Sequence, residues 1–375
     1  MKTIRTLGAG LLILLFLLPA AGFAAGLFGD AQTSENRALA SWPSLGQPDY
    51  FKGIDVFLSD RFGGRMALIR LSREVRDNLG EDPDAVVRGQ DGWLYLGESA
   101  YRDEFEGVGA WDDAQVERWV ADLLAARDVF DGAGIPFAAT IAPDKARIYP
   151  ETLPKDWRLG GRRFKSRVLG DARLSDLSFD IEPDLLLRKD TGDLVYFARD
   201  THWNPTGGAV ASAAIMNALD PSRTLARHEP GAMTLISPYE PQDLERMQGQ
   251  ENSEEVPSLI VPSPRPEGYA VDMVGADETG VPARGYLHTK VVTHSDFPDA
   301  TGTLVIVGDS FADAMMEFFT PSFRTIVKIH HGAEDFTVGT DEVLSYDPDA
   351  VLLMIVERSA HRKARPILVG PTVDE

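Results

Sequence analysis

The chain has 375 residues, 43% hydrophobic and 25% charged, enough for one large α/β domain with appendages or for two ordinary domains. Its formal charge of −21 argues against a nucleic-acid binder, which must neutralise phosphates with Lys and Arg, and disfavours adhesion to anionic lipid. The chain contains no cysteine, so disulfides, thiolate metal sites and cysteine nucleophiles are ruled out.

In chain order, Lys2 and Arg5 precede an uncharged stretch from Thr6 to Gly29, densest in apolar residues from Leu11 to Leu18. Pro19 and the small residues Ala20, Ala21, Gly22, Ala24 and Ala25 follow. A positive end, an apolar run and a small-residue exit mark a secretory signal, with cleavage expected after Ala24. The same stretch is long enough to serve instead as an uncleaved anchor. Residues 1–28 are therefore expected to be a signal peptide or N-terminal membrane anchor, and the remainder, 29–375, to be exported.

Apolar residues at helical spacing from Asp49 to Leu79, broken at Gly63-Gly64, predict two short helices. Gly89 to Leu96 reads as a turn feeding a strand. Asp112 to Phe130 predicts an amphipathic helix ended by Asp131-Gly132, and Ile135 to Ala142 a buried strand. Six basic residues lie between Lys155 and Arg167 against one acidic residue, Asp156. That reversal reads as a solvated basic face or as a contact for an anionic partner such as an acidic polysaccharide. Gly207 to Leu219 predicts a helix, with Pro205-Thr206 at its start and Asp220-Pro221 at its stop. From about 222 to 297, frequent Pro, Gly and Glu predict a loop-rich insertion or short hairpins. Strands resume at Thr303 to Val307, Thr325 to Ile329 and Ala350 to Val356, with a helix expected over Ala312 to Phe319.

Two segments carry the chemistry. A strand, the turn Gly308-Asp309-Ser310-Phe311 and a helix present a hydroxyl at a sheet edge, beside helix N–H groups that suit a developing oxyanion. Ser310 alone fits a helix cap as well as a nucleophile. About a hundred residues earlier, Asp200-Thr201-His202-Trp203-Asn204-Pro205 offers an acid and a base. In extended backbone, residues two apart point the same way, so Asp200 can hold the Nδ1–H of His202 and fix its tautomer. Asp-x-His alone also fits a surface or capping role, and Trp203 reads as core. A metal site from Asp200, His202 and the His330-His331 pair is the weaker alternative, because no HExxH-like spacing occurs. No carboxylate pair stands out as that of a glycosidase. No metal or other cofactor is expected.

Together, Asp200-Thr201-His202-Trp203 and Gly308-Asp309-Ser310-Phe311 resemble the SGNH-hydrolase-like alginate O-acetyltransferase family of the AlgJ and AlgX type. Ser34-Glu35-Asn36-Arg37, Asp60-Arg61-Phe62, Gly89 to Tyr95, Ala142 to Glu151 and Val356-Glu357-Arg358 extend the likeness in one order along the chain. The resemblance implies an α/β three-layer sandwich with a mostly parallel central sheet, the acid–His pair preceding the serine. It implies Ser310 as nucleophile, His202 as general base and Asp200 as orienting acid. It further implies transfer of acetyl groups onto hydroxyls of an exported polysaccharide, alginate or another. The setting would be the periplasm, with acetyl supplied by a membrane-bound O-acyltransferase and association with the inner membrane through the N-terminus. AlgJ is the nearer parallel, since little chain follows the last strand to build a carbohydrate-binding module. Lys145, Tyr149 and Arg324 are candidates for substrate contact, each with a structural alternative. An esterase or deacetylase on acetylated glycan, or a non-catalytic polysaccharide-binding subunit of an export complex, are the competing functions.

Overall fold

The computed structural model describes residues 42–43, 50–51, 53–54, 57, 86–108, 111–219, 243–248, 271–275, 290–295, 297, 299–330 and 337–370. The chain divides into two compact units, residues 1–83 with 245–251 and residues 84–244 with 252–375. In the first, residues 50–51, 53–54 and 57 are helical, inside the stretch whose spacing predicts helices. Trp42 meets Phe57 edge-on there, with ring centroids 5.2 Å apart. The expected leader, residues 1–28, lies outside the described residues, as do the likenesses at Ser34 to Arg37 and Asp60 to Phe62.

The second unit is built on one six-stranded sheet flanked by two small pairings. Strands β1 (Val86–Arg88) and β2 (Leu94–Leu96) form an antiparallel pair. The main sheet takes β3 (Phe137–Ala142), β4 (Val271–Gly275), β5 (Lys290–Ser295), β6 (Thr303–Gly308) and β7 (Thr325–His330). With β8 (Val338–Gly339) paired to β10 (Leu368–Val369) nearby, β9 (Ala350–Val356) completes the main sheet in the order β3-β9-β6-β7-β5-β4. The run β3, β9, β6, β7 is parallel, and β5 and β4 add antiparallel strands at one edge.

Parallel strands covered on both faces read as unbroken apolar runs. All seven residues of β9 are buried, which fits that rule. Side-chain alternation then deals the strands into two cores. Leu304 and Ile306 of β6 and Leu352 and Met354 of β9 face one, shared with Ala211, Ile215 and Met216 of the helix Pro205–Leu219. Val305, Val307, Val351 and Leu353 face the other, against Trp119, Leu123 and Phe130 of the helix Asp113–Ala133. Helices on both faces of a mostly parallel sheet make the expected three-layer α/β sandwich.

Two boundaries differ from expectation, and one open alternative is resolved. The helix Asp113–Ala133, whose first turn is capped by the Asp112 carboxylate accepting the Gln115 N–H at 2.7 Å, runs through Gly132 and stops at Gly134. Gly134 has φ of 73°, the left-handed conformation that ends helices and that Gly132 is not asked to adopt. The segment expected to be a loop-rich insertion or short hairpins supplies β4 and β5, an antiparallel pair in line with the hairpin alternative, and polar residues such as Lys290, Thr293 and His294 fit a strand that needs no continuous apolar run. After the serine turn, residues Ser310–Met315 form a 3-10 helix and only Met316–Phe319 is α-helical. Asp309 tightens that turn, its side chain accepting the Phe311 N–H and its carbonyl the Ala312 N–H.

Candidate active site

At the C-terminal end of β6 the chain passes close to β9. A Cβ on Gly308 would lie 2.6 Å from the Met354 carbonyl oxygen, so glycine is required by space. Asp309 then stitches the turn to the sheet, its Oδ2 accepting the Val356 N–H at 2.6 Å while its Oδ1 takes the Phe311 N–H at 3.0 Å. With its carboxylate spent on two buried amides, Asp309 is a framework residue. Ser310 emerges next, partly exposed, at the strand ends where α/β sheets carry their ligand sites.

The acid–base segment reaches the same place from the other direction. An isolated bridge between Tyr196 and Trp203 closes a loop around residues 197–202. Residues 198–202 are bends, so Asp200-Thr201-His202 is not the extended backbone in which residues two apart point the same way. The two side chains meet because the Asp200 carboxylate folds back onto its own segment, Oδ1 accepting the His202 backbone N–H at 2.8 Å and the ring Nδ1–H at 2.7 Å. The proton on Nδ1 leaves Nε2 as an acceptor, and Ser310 Oγ stands 2.6 Å from it. Trp203 does more than fill the core: its indole N–H donates to the Phe311 carbonyl at 3.2 Å, tying the acid–base loop to the serine turn. Asn204 caps the helix Pro205–Leu219 by accepting the Gly207 N–H at 3.0 Å.

Asp200 and His202 are buried and Ser310 is only partly so. Burial alone would push the Asp200 carboxyl up, but the adjacent His202 and the hydrogen bonds from His202 and Asp243 outweigh it and hold Asp200 well below the usual carboxylate range. Burial pushes the His202 imidazole down, and the Asp200 charge and hydrogen bond overcome this, with help from Asp243, so that it stands above its ordinary value. Asp243 came with no sequence signal: it falls in the segment read as loop-rich and belongs to no motif. Its N–H donates to Asp200 Oδ2 at 2.8 Å.

Lys145, Tyr149 and Arg324, candidates for substrate contact with a structural alternative each, all bond to backbone groups of the fold. The Lys145 ammonium is buried and donates to the carbonyls of Leu94, Phe197, Ala198 and Asp200 at 2.6, 3.3, 3.0 and 2.8 Å, pinning the loop that carries the acid. The buried Tyr149 hydroxyl accepts the Val195 N–H at 2.9 Å. Arg324 donates to the Ser295 carbonyl just before β7 begins. Because Thr303 pairs with Thr325 and Gly308 with His330, Arg324 sits at the end of the sheet opposite the serine.

The basic run is divided: Arg163 and Lys165 are drawn into the fold, while Lys155, Arg158, Arg162 and Arg167 are exposed. Arg163 bridges Glu182 at 2.7 Å and Glu357 at 2.6 Å, Lys165 pairs with Asp180 and Glu182, and Arg167 pairs with Asp113. Arg162 stacks over the Trp111 ring and donates to its carbonyl. As for a metal, Asp200, His202 and Asp243 bring one ligand atom each within 4.8 Å of one another. Their lone pairs are already met by N–H and O–H donors and Nδ1 carries a proton, so this donor set reads as a hydrogen-bonded relay. His330 ends β7 beside Gly308, and His331 lies outside the described residues.

A three-layer α/β domain with an acid, a histidine and a serine hydrogen-bonded in series at its strand ends has the architecture of the SGNH-hydrolase-like class. A family model described as the SGNH hydrolase-like domain of the acetyltransferase AlgX matches residues 86–276, half of the chain, and the chain belongs to that family. The match includes Asp200, His202 and Asp243 and stops before Ser310. A protein of Pseudomonas fluorescens named "Probable alginate O-acetylase AlgJ" is 26% identical over 218 residues, 56% of this chain and 51% of that one. One of the same name from Pseudomonas syringae pv. tomato is 29% identical over 134 residues, 35% of this chain and 32% of that one. The chain thus spans about a third to a half of the length of these curated relatives. Among solved structures, the O-acetyltransferase domain of Pseudomonas putida AlgJ aligns with a TM-score of 0.43 and 19% identity over 74% of this chain and 93% of that one.

Proposed function

We propose that the protein is an O-acetyltransferase that moves acetyl groups onto hydroxyls of an exported polysaccharide, alginate or a related polymer, through an ester on Ser310. The observation that carries the reading is the unbroken series from Asp200 Oδ1 to His202 Nδ1 at 2.7 Å and from His202 Nε2 to Ser310 Oγ at 2.6 Å. Family membership and the relatives' names support the acetyl group and the polymer.

In the first step the Ser310 hydroxyl proton passes to His202 Nε2 while Oγ attacks the acetyl carbonyl of the donor. Asp200 keeps the imidazole in the required tautomer and stabilises the imidazolium. The Ser310 N–H, at the head of the 3-10 turn, is the proposed donor to the oxyanion. The donor's leaving group takes the proton from His202, and acetyl remains on Ser310. A sugar hydroxyl then gives its proton to His202, attacks the ester, and releases Ser310, which recovers the proton. Ser310 is partly exposed, so water competes with the sugar and slow ester hydrolysis accompanies transfer. Residues 1–28 would carry residues 29–375 to the periplasm or tether them at the inner membrane, where a membrane-bound acyltransferase would hand over acetyl.

The test is a product assay with an activated acetyl ester and an alginate-type oligosaccharide. Acetylated oligosaccharide should form with the native protein. His202→Ala should lose about 10² to 10⁴-fold of the rate, the usual contribution of a positioned base. Hydrolysis with no transfer to any sugar would turn the reading to an esterase, and a fully active Ser310→Ala protein would overturn it.

A further inference from the structure

We infer that Asp243 is a second acid of this site, a positioning residue that fixes Asp200 through its backbone and sets the basicity of His202 through its carboxylate. The inference rests on the reading of His202 as the base that acts on Ser310. The residue opens a short helix, Asp243–Met247, and lies 43 positions after Asp200.

Its contacts run in both directions. Outward, its N–H donates to Asp200 Oδ2 at 2.8 Å, so that Asp200 is held at both oxygens, Oδ1 by His202 and Oδ2 by Asp243. Backward, its own carboxylate grips the residue between the acid and the base: Oδ1 accepts the Thr201 N–H at 2.8 Å and Oδ2 accepts the Thr201 hydroxyl in a short bond. Oδ2 also stands 3.8 Å from His202 Nδ1, and Thr201 Oγ lies 3.3 Å from the same nitrogen. Every residue of Asp200-Thr201-His202 is therefore within reach of one residue, through its backbone or its side chain, that the sequence gives no reason to single out.

An anion this close to an imidazole favours the protonated ring, and the protonated ring is what forms when Ser310 gives up its proton. Among the described residues, other charges also face His202. Asp200 opposes it across Nδ1, and Arg358, whose guanidinium lies over the Phe311 ring and pairs with Asp144, works against protonation. Lys145 reaches the Asp200 carbonyl and Asp309 the neighbouring turn, the latter through amides alone. Asp243 is itself pushed up by burial and by the Asp200 charge, and its bonds from Thr201 oppose the push. The two acids share one imidazole, with Asp200 holding the ring directly and Asp243 biasing it from the side.

The experiment is the pH dependence of kcat/KM for hydrolysis of an activated acetyl ester by the full chain, compared between the native protein, Asp243→Asn and Asp243→Glu. The acid limb reports His202 losing its proton to become a base. Asp243→Asn keeps the shape and the backbone donor but removes the charge, so the limb should move to lower pH by on the order of one unit. The plateau should fall several-fold, while Asp243→Glu keeps the limb near its native position. Should Asp243→Asn fail to fold, Asp243→Ser retains a short acceptor for Thr201 and carries the same expectation. Ser310-dependent hydrolysis with an acid limb unmoved in the uncharged variants overturns the role of Asp243 alone. Hydrolysis that survives Ser310→Ala instead overturns the reading beneath it.

Discussion

Lys145 and Glu104 are both buried groups that ionise in water, and the fold treats them in opposite ways. The ammonium of Lys145 is surrounded by carbonyl oxygens, which replace its hydration and use its positive charge to hold a loop. Among the described residues, neither carboxyl oxygen of Glu104 finds a hydrogen-bond donor. Burial, with the Glu357 and Asp144 carboxylates adding to it and Arg147 opposing, pushes Glu104 well above the usual carboxylate range. The folded protein therefore keeps a proton that the unfolded chain releases above about pH 4.3. A raised carboxyl costs stability as pH climbs through that window, because the native state binds more protons than the unfolded one. Glu104→Gln resembles the protonated acid and has no such slope. Its melting temperature relative to the native protein should rise between pH 5 and pH 9, by about 2 °C or more. A gap that stays level across that range would show that Glu104 is ionised in the fold.

Elements divide into those announced by local pattern and those that depend on distant partners. The buried strands β6, β7 and β9 and the helices over Asp113–Ala133 and Pro205–Leu219 stand out because apolar runs and helical spacing are properties of the segment itself. Ser310, His202 and Asp200 are legible for a related reason, since each sits in a short motif. What stayed hidden was set by contacts remote in sequence. The antiparallel strands β4 and β5 have no continuous apolar run to set their bounds, Lys145 is buried by carbonyls from other segments, and Asp243 meets Asp200 across 43 positions. The serine turn illustrates both cases: its strand and its serine are local, while its 3-10 form depends on Asp309 and on β9. Asp309→Ala would strand the buried Val356 and Phe311 amides, at a cost of about 1–3 kcal/mol for each buried group left unsatisfied. Thermal melts should show that loss, and kcat for ester hydrolysis should drop at least about tenfold as the hydroxyl loses its aim. Native kcat in a destabilised Asp309→Ala protein would mean that the turn holds itself in place.

Across the whole molecule, the segments bearing His202 and Ser310 are 108 residues apart in sequence and meet where the parallel strand β6 ends. The family match that identifies the domain covers the first of these and not the second. The account therefore stands on whether Ser310 carries the acyl group. The most direct measurement is the mass of the purified protein, and of its Ser310 peptide, after brief reaction with an activated acetyl ester and quenching in acid. The account predicts one added acetyl on Ser310, lost when an oligosaccharide acceptor is supplied and absent from Ser310→Ala. An acetyl found elsewhere, or turnover with Ser310 never modified in native or His202→Ala protein, would contradict it.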